Sequence, residues 1–460
     1  MSFTYVDLFS GIGGFRIGLD TLGGTSVGFS EIDKKAIETY KRNFNDPDSH
    51  DLGDVTRITH LPEVDLVVGG VPCQSWSVAG KRRGFDDPRG RLWYDAIRMV
   101  KTSKPKAFIF ENVKGLVDPR NKDNLNLIID SFEKIGYLVR YQLLNAYDFG
   151  APQNRSRVFI VGFRKDLADY ASKFRYPLSK GKTSEIGDLI DGINKVDIKK
   201  SIFDPSEIYG GFIPRSRNAF QREDSLNDFF VFCDTRNGHS TIHSWDIYKT
   251  TDVEKNICMA ILKNRRKRKY GSADGNPLSF EDITELVPEV KKSNLDSLVL
   301  KRILKITVDK KYTLVNSKNS SGIDGVYRIF LPNSPIFSTL TATGTRDFIA
   351  TEYISCDNPK EYKNIFINNI YNPKKFRQVS SREAARIQGF PDSFICHESD
   401  YSSQRQFGNA VAPPVVEAVG RAIVNTGVFD TLVSNETARE ARDYNAGEGL
   451  DVFQPNFQPS

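Results

Sequence analysis

A cysteine follows an apolar run in the stretch "DLVVGGVPCQSWSVAG", which begins at Asp65. Pro72 restricts the residue before it and stiffens the turn, while Gly69 and Gly70 leave space around it. An isolated cysteine is more often an inert core residue than a nucleophile. The polar, turn-forming flanks favour the opposite interpretation here, so we predict that Cys73 is presented at the carboxyl end of a strand as a nucleophile.

Groups that could assist a thiol occur at the ends of two other predicted strands. "FIFENV" ends in Glu111 and Asn112, and "APQNRSRVFIVG" places Arg155 and Arg157 at the start of a strand. A buried carboxyl has a raised pKa and can donate a proton. Arginines can stabilise a thiolate and bind phosphates or base edges. We expect these side chains to point into one cleft with the cysteine.

A glycine-rich turn, "DLFSGIGGF", begins at Asp7 after the first apolar run and opens a predicted helix. Glu31 lies 20 residues after Gly11, where a carboxylate takes ribose hydroxyls in nucleotide-binding sheets. Asp54 follows a third segment and could bind an adenine amino group. The pattern is not GxGxxG and has no lysine, so a nucleoside without pyrophosphate fits better than NAD or ATP. The alternative is a tight turn without a ligand.

Short apolar runs predict strands at residues 3–9, 25–32, 64–70, 106–113 and 157–163. Near-continuous apolar runs indicate strands that are buried on both faces, and the helical segments between them imply parallel crossovers. The predicted fold class is therefore α/β, with a doubly wound, mostly parallel sheet. Such sheets bind ligands at the carboxyl ends of their strands.

The composition changes after about residue 165, where the chain becomes polar and less periodic. We predict a second, irregular domain of mixed α+β structure, with helices returning at residues 379–390 and 412–424. Ser380 or Ser381 is the expected N-cap of the first of these helices. We predict a catalytic domain at residues 1–165 and a recognition domain at residues 166–404. A C-terminal helix at residues 405–428 would complete the first domain, and residues 429–460 would form an acidic, flexible tail.

Composition excludes several classes of protein. No apolar run approaches the roughly 18 residues of a membrane span, and no signal-peptide pattern is present. The five cysteines and five histidines are scattered, which does not fit a disulfide framework or a zinc site and suits a reducing cytoplasm. The net charge is +6, with seven Lys or Arg and no acids between Lys255 and Lys269. That basic run indicates either a polyanion partner or a solvated helix face.

Taken in order, these motifs resemble the DNA cytosine-5 methyltransferases of bacterial restriction–modification systems. The matching segments are "DLFSGIGGF", "EID", "GDVT", "GGVPCQSWS", "RGRLWYD", "ENV", "QNRSR", "REAARIQGFP" and "QFGNAVAPPV". They run from Asp7 to about Val415, and a long variable stretch separates the last two from the rest. Trp76 departs from the family, which commonly has Phe at that position.

The resemblance implies a catalytic mechanism. The Cys73 thiolate would add to C6 of cytosine, while Glu111 hydrogen-bonds or protonates N3. Arg157 would hold the base carbonyl, and Arg155 would support the cysteine loop or backbone. The methyl group would come from S-adenosylmethionine, with neither metal nor redox cofactor.

The resemblance also assigns the methyl-donor site and several DNA contacts. A cytosine in a duplex must be rotated out to reach a thiol, and contacts from the second domain would offset that cost. The implied cofactor residues are Phe9, Ser10, Gly11, Ile12, Gly14, Glu31, Ile32, Asp54, Val55, Pro72, Leu92, Asn409 and Val411. The implied DNA contacts are Gln74, Ser77, Lys81, Arg82, Arg83, Arg265, Arg266, Thr341, Thr343 and Arg346.

Three alternatives remain open from the sequence. An RNA cytosine methyltransferase would use the same motifs, although the 219 residues between "QNRSRVFIVG" and "REAARIQGFP" favour a DNA-recognition region. A non-catalytic DNA-binding regulator could keep the fold. A dehydrogenase is the weakest alternative because the pyrophosphate pattern is missing. The expected partner is double-stranded DNA, with a restriction endonuclease as functional counterpart, no membrane, and a monomeric enzyme in the bacterial cytoplasm.

Overall fold

The computed structural model of this 460-residue chain describes the larger part of it. The described residues are 2–72, 92–179, 185–193, 230–233, 241–273, 275–315, 326, 328–344, 347–354, 356 and 358–430.

The strands of the described residues belong to one large sheet and two small ones. In chain order they are β1 Phe3–Leu8, β2 Gly24–Ser30, β3 Leu66–Gly70, β4 Ala107–Val113, β5 Tyr137–Asn145, β6 Ser156–Arg164, β7 Phe230–Cys233, β8 Thr241–Ile242, β9 Leu304–Ile306, β10 Tyr312–Leu314, β11 Arg328–Phe330, β12 Asp347–Ala350 and β13 Phe376–Arg377. The large sheet has the order β2-β1-β3-β4-β6-β5. Its first four strands are parallel, which confirms the predicted α/β class.

Strand β6 runs antiparallel to both of its neighbours, β4 and β5. The reversal brings the start of β6 to the carboxyl edge of the sheet, so that Arg157 pairs with Val113 at the end of β4. Strand β5 is not among the predicted strands. It is an edge strand with a mostly exposed surface, so its sequence lacks the continuous apolar run of the buried strands.

The described helices flank the sheets. They are α1 Gly14–Asp20, α2 Lys34–Asn43, α3 Leu92–Ser103, α4 Lys122–Lys134, α5 Ala168–Lys173, α6 Ser244–Ile247, α7 Asp252–Asn264, α8 Phe280–Leu286, α9 Lys292–Leu300, α10 Pro359–Phe366, α11 Ser381–Gln388, α12 Asp400–Asn409 and α13 Pro413–Val424. A π-helical turn, Ile367–Tyr371, follows α10.

Local sequence signals explain where the last helices begin. Ser380 is the N-cap of α11, where its hydroxyl accepts from the Glu383 N–H and the Glu383 carboxylate accepts from the Ser380 N–H. This reciprocal capping box confirms the predicted start of the helix. Helix α13 begins with Pro413 in its first turn, where a missing N–H leaves no hydrogen bond unmade.

The large sheet has an apolar core on each face. One face packs α3 and α4 through residues such as Trp93 and Ile128. The other face packs α1 and α13, so residues near position 420 complete a core that starts at Phe3. At the crossing of these two helices a Cβ on Gly18 would lie 2.8 Å from the Pro413 carbonyl oxygen, so only glycine permits the approach.

The region between β6 and α11 contains the two small sheets. One has the order β13-β12-β11-β7-β8, and the other is the β9–β10 hairpin. A further apolar cluster joins both parts of the chain, because Ile12 and Ala36 pack in it with Leu340 and Phe407. The predicted domain boundaries stay predictions.

No helix of the described residues is long and apolar enough to cross a membrane. The same residues contain no group of three or more His, Cys, Asp and Glu side chains able to hold a metal ion.

Candidate active site

A cavity of about 320 Å³ opens at the carboxyl edge of the large sheet, beside the glycine-rich turn. Residues from the ends of β1, β2, β3 and β4 line it, and the α12–α13 connection forms another wall. The predicted cofactor residues that line it are Phe9, Ser10, Gly11, Ile12, Glu31, Pro72, Asn409 and Val411. The fold therefore brings residues about 400 positions apart into one site.

Two predicted cofactor residues have other placements near the cavity. Gly14 is not in the wall but directly behind it, since a Cβ there would lie 2.6 Å from the Val411 carbonyl oxygen. Ile32 follows Glu31 at the cavity and is 72% exposed. Its apolar side chain is thus open to solvent at the rim, where a ligand could cover it.

The remaining predicted cofactor residues lie outside the cavity wall. The Asp54 carboxylate accepts from the N–H and the hydroxyl of Thr56, which lowers its pKa and keeps it ionised. Val55 is buried, and Leu92 is partly buried against the same core. These contacts show a structural role for each side chain, and their roles toward a ligand stay predictions.

The glycine-rich turn is held by Glu31. Its carboxylate accepts from the N–H of Gly11 at 2.9 Å and from the N–H groups of Ile32 and Asp33 at 2.7 and 2.8 Å. Phe9, Gly11 and Gly13 have φ angles of 58°, 56° and 88°, so the turn enters the left-handed region three times. Glu31 retains acceptor capacity on the oxygen that bonds Gly11, because a carboxylate has about four lone-pair sites.

Two buried polar side chains beside this turn have no hydrogen-bond partner among the described residues. They are Ser10, whose hydroxyl is buried, and Asp7, whose two carboxylate oxygens are fully buried. Ser10 lines the cavity, so a polar ligand there could satisfy its hydroxyl. Burial and the nearby charge of Glu31 raise the pKa of Asp7 well above its ordinary value.

Glu111 and Arg157 meet at the opposite side of the cavity. The Arg157 Nε and Glu111 Oε1 are 3.0 Å apart, and both side chains are largely buried. The pair is close enough for ionic attraction, yet Oε1 receives no well-aligned hydrogen bond. Burial raises the pKa of Glu111, and the positive charges of Arg157 and Arg155 only partly offset that effect. A carboxyl in this setting can hold a proton and give it to a ligand.

Asn112 positions the turn that leads to the predicted nucleophile. Its side-chain amide is fully buried and donates to the Val71 carbonyl oxygen at 3.1 Å. Pro72 follows and lines the cavity. Cys73 itself lies outside the described residues, and its role stays a prediction.

Arg155 connects three segments by hydrogen bonds. Its buried guanidinium donates to the carbonyl oxygens of Leu340, Gly408 and Ala410 at 2.8–3.1 Å. Gln153 is equally buried, accepts from the Leu340 N–H and donates to the Gln388 side chain. This network fixes the cavity wall around Asn409. The predicted support of the cysteine loop or backbone by Arg155 stays a prediction.

The predicted target-contact turn lies beside the same wall. Thr341 and Thr343 are exposed, and the turn closes through a Gly344 N–H to Thr341 carbonyl hydrogen bond. It packs tightly on α12, since a Cβ on Gly408 would lie 2.3 Å from the Thr341 carbonyl carbon. Both threonines are thus available for contact at the edge of the cavity.

One predicted DNA contact has an unsuitable position. Arg265 is only 3% exposed and lies inside the α7–α9 cluster, next to Gly275 and Asn276, so a phosphate cannot reach it here. Arg265 belongs to the basic run, whose exposed member Arg266 remains a candidate. The other predicted contacts, Gln74, Ser77, Lys81, Arg82, Arg83 and Arg346, lie outside the described residues.

Helix α12 contributes cavity residues that were not predicted, among them Tyr401 and Arg405, on the same face as the predicted Asn409. Tyr401, Arg405 and Asn409 are spaced four apart, share a helix face and line the cavity. Tyr401 is 76% exposed despite its aromatic ring. The signal was present in the sequence as an i, i+4, i+8 pattern that leads into "QFGN", but nothing indicated which side of the helix faces the cavity.

Comparison with known proteins agrees with this geometry. The chain matches the C-5 cytosine-specific DNA methylase family over residues 3–425. It is 49% identical over 430 residues to the Type II methyltransferase M.HgiBI of Herpetosiphon aurantiacus, covering 93% of this chain and 98% of the relative. It is 34% identical over 450 residues to the Type II methyltransferase M.BanI of Aneurinibacillus aneurinilyticus, covering 91% and 95%.

Solved structures share the fold at low sequence identity. The Dnmt2 methyltransferase of S. pombe has a TM-score of 0.50 at 14% identity, covering 94% of this chain and 100% of that one. The family match spans most of the chain, and the cavity, the glycine-rich turn and the buried glutamate lie inside it. The chain belongs to the C-5 cytosine-specific DNA methylases.

Proposed function

We propose that this enzyme methylates C5 of a cytosine in a short duplex site as the modification partner of a Type II restriction–modification system. The observation that carries the proposal is the position of Glu111, buried at the wall of a cavity that also contains Pro72, the residue before Cys73. Curated relatives that match nearly their whole length are named Type II methyltransferases.

The cavity suits the cofactor of the family. S-adenosylmethionine supplies an electrophilic methyl group when it is bound. The unpartnered Ser10 hydroxyl and the spare acceptor capacity of Glu31 are polar groups that a nucleoside could satisfy. Ile32, exposed at the rim, offers apolar surface for a base. Phe9, Gly11, Pro72, Asn409 and Val411 would complete the site.

Cys73 is the proposed nucleophile, because C5 of cytosine alone is too electron-poor to accept a methyl cation equivalent. The thiolate forms a bond to C6, and the C5–C6 π electrons make C5 enamine-like while N3 takes or shares a proton from Glu111. Transfer of the methyl group to C5 would release S-adenosylhomocysteine. Loss of the C5 proton to solvent would then return electrons to the ring and break the S–C6 bond. Cys73 leaves as a thiolate, and Glu111 recovers its proton.

The arginines have separate roles in this scheme. Arg157 reaches the Glu111 carboxylate and has a partly exposed guanidinium, so it would hold the carbonyl of the extruded base. Arg155 is a positioning residue that fixes the wall around Asn409. Thr341 and Thr343 would contact the duplex beside the cavity, and exposed lysines and arginines would neutralise phosphates. A monomeric state and action in the bacterial cytoplasm are further parts of the proposal.

The test is transfer of a tritiated methyl group to duplex DNA and, in parallel, to transfer RNA. We expect labelled DNA, with the modified site located by bisulfite sequencing of plasmid from expressing cells. Cys73→Ser should abolish transfer and keep duplex binding, whereas Cys356→Ser, a change at a partly exposed cysteine away from the cavity, should leave both unchanged. Labelling of RNA alone would contradict the proposal.

A second readout tests the covalent step. Duplex DNA with 5-fluorocytosine at the target should trap the enzyme, because the fluorine cannot leave as the C5 proton does. We expect an adduct stable to denaturation from the wild type and none from Cys73→Ser. A wild-type enzyme that methylates DNA but forms no adduct would rule out thiol catalysis.

A further inference from the structure

Residues 244–315 form a separate unit within the region between the large sheet and α11. Their apolar core contains Trp245, Ile261, Leu298 and Leu314 and is a cluster distinct from those of the two larger sheets. Helices α6 to α9 and the β9–β10 hairpin make up the unit. It has enough buried residues of its own to hold its surface groups in fixed positions.

The order of elements in this unit is that of a winged helix-turn-helix. Helix α7 comes first, then an extended residue, Leu278, then α8 and α9, and finally the hairpin. Leu278 pairs with Tyr312 of β10 through two backbone hydrogen bonds of 2.9 and 2.7 Å, which adds a one-residue β-bridge to the hairpin at the place of a third strand. Helices α8 and α9 are joined by five residues, 287–291, slightly longer than the usual turn of a helix-turn-helix.

The exposed surface of this unit is basic. Residues 244–315 contain 15 Lys and Arg against 10 Asp and Glu, which accounts for most of the net charge of the whole chain. Lys291 and Lys292 are exposed where α9 starts, and Lys305 and Lys310 are exposed on the hairpin. None of these four lysines forms an ion pair with a described residue. They are therefore available to a polyanion.

The hairpin tip has a fixed shape with an apolar residue at its end. The N–H of Thr307 donates to the Lys311 carbonyl, and the N–H of Lys310 donates back to the Thr307 carbonyl. Val308 at the tip is 99% exposed, and Ile306 is 49% exposed. Lys305, Lys310 and Lys311 lie within three residues of Val308, together with one exposed acid, Asp309, whereas protein–protein interfaces are depleted of lysine. An apolar tip between cations instead fits a DNA groove, where apolar side chains contact base steps and cations contact phosphates.

We infer that this unit is a second DNA-binding module that grips the duplex outside the methylated site, with α9 and the β9–β10 hairpin as its contact elements. The inference rests on the proposed function, which supplies the duplex. A unit of this length has a diameter of roughly 29 Å, or roughly eight base pairs of DNA. The target-contact turn at Thr341 packs on α12 beside the cavity, whereas the module has a core of its own, so its DNA contacts are additional to those at the target.

The test compares two duplexes that contain the modified site. The long one carries about eight flanking base pairs on each side, the width of the module, and the short one is trimmed to about two. We expect the wild type to bind the long duplex at least tenfold more tightly. Replacing Lys305→Gln and Lys310→Gln together should remove most of that advantage and reduce the salt slope of long-duplex binding by about 1.8.

A matched control removes two lysines elsewhere. Lys101 and Lys134 are exposed near the ends of α3 and α4, at the edge of the large sheet opposite the cavity. Lys101→Gln with Lys134→Gln should bind both duplexes like the wild type. The inference would be wrong if the wild type bound both duplexes equally, or if the hairpin variant lost the same affinity for both. The basic surface would then be a site for a protein partner instead of DNA. Failure of the wild type to methylate either duplex would instead refute the proposed function.

Discussion

At the scale of single residues, Glu111 shows how burial prepares a group for chemistry. Arg157 attracts a negative charge at Glu111, which would favour ionisation and lower its pKa. Burial has the opposite effect and is larger, so the pKa is raised. The same carboxyl can therefore carry a proton at a pH where an exposed glutamate has lost it.

The Glu111→Gln variant tests this proton. The amide still donates a hydrogen bond but cannot transfer a proton, so we expect single-turnover methylation to slow by about 10²–10⁴-fold. In the wild type, methylation should fall as pH rises through the raised pKa of Glu111, because the protonated form is lost. That fall should be absent in the variant. Tritium transfer measured across pH would show it, and an unchanged falling limb would contradict the assignment.

Asp7 is a second carboxyl whose pKa is raised by burial. Its carboxyl is fully buried beside Glu31, and its pKa is raised well above the unfolded value. Between those two pKa values the native state keeps a proton that the unfolded chain has lost. Stability must therefore fall as pH rises from about 4 through the native pKa of Asp7.

Asp7→Asn should remove that pH dependence. The amide has nearly the same shape and does not ionise. As pH increases, the free energy of unfolding of the variant should therefore rise relative to that of the wild type. Urea unfolding at pH 5, 7 and 9 measures the difference. Two parallel stability curves would mean that Asp7 does not titrate between its unfolded value and pH 9.

At the scale of secondary-structure elements, the reversed strand β6 is decisive for the site. Because it is antiparallel, its first residues lie at the carboxyl edge, next to the end of β4. Arg157 then extends toward Glu111, whereas Arg155 extends toward the α12–α13 connection. A parallel β6 would place both at the far edge of the sheet.

Arg155→Lys tests this connection. A lysine is a single point donor and cannot serve three carbonyl groups at once, so two buried carbonyls would lose a charged partner. We expect a loss of about 2–4 kcal/mol in the free energy of unfolding, together with weaker cofactor binding. Arg140→Lys on the edge strand β5 is the control, because Arg140 donates to one carbonyl at the surface, and it should cost at most about 0.5 kcal/mol. Equal effects of both changes would contradict the role of Arg155.

At the scale of the whole molecule, the chain returns at its end to the domain where it began. Residues of α13 pack against Phe3 and Leu19, and Phe3 stacks on Phe429 with ring centroids 4.6 Å apart. Helix α1 covers only part of this face of the sheet, and α13 covers more of it. Val411, two residues before this helix, packs against Gly14 beside the glycine-rich turn and forms part of the cavity wall.

Truncation of the chain tests this closure. A chain that ends at Ala410 lacks the apolar residues of α13, so we expect aggregation or loss of a cooperative unfolding transition. A chain that ends at Asp430 keeps every core residue described here and should unfold like the full-length protein. Thermal unfolding of the two purified chains measures this, and cooperative folding of the shorter chain would contradict it.

The sequence by itself determined the local features of this protein. Continuous apolar runs predicted the buried strands, and the pair Ser380 and Ser381 predicted the start of α11, because capping and burial patterns involve neighbours in the chain. The motif order identified the family, the cofactor and the candidate residues Cys73, Glu111 and Arg157. Arg265 was misplaced because a basic run does not reveal which of its side chains face inward.

The tertiary structure decided what depends on distant contacts. The direction of β6, the edge strand β5, the helix face of Tyr401 and the three carbonyl partners of Arg155 follow from packing between segments far apart in the chain. The winged unit is a similar case, since the β-bridge at the place of its third strand is a pairing of Leu278 with Tyr312, 34 residues later. Side-chain periodicity shows that a surface is apolar or basic, but only the fold determines which surface it meets.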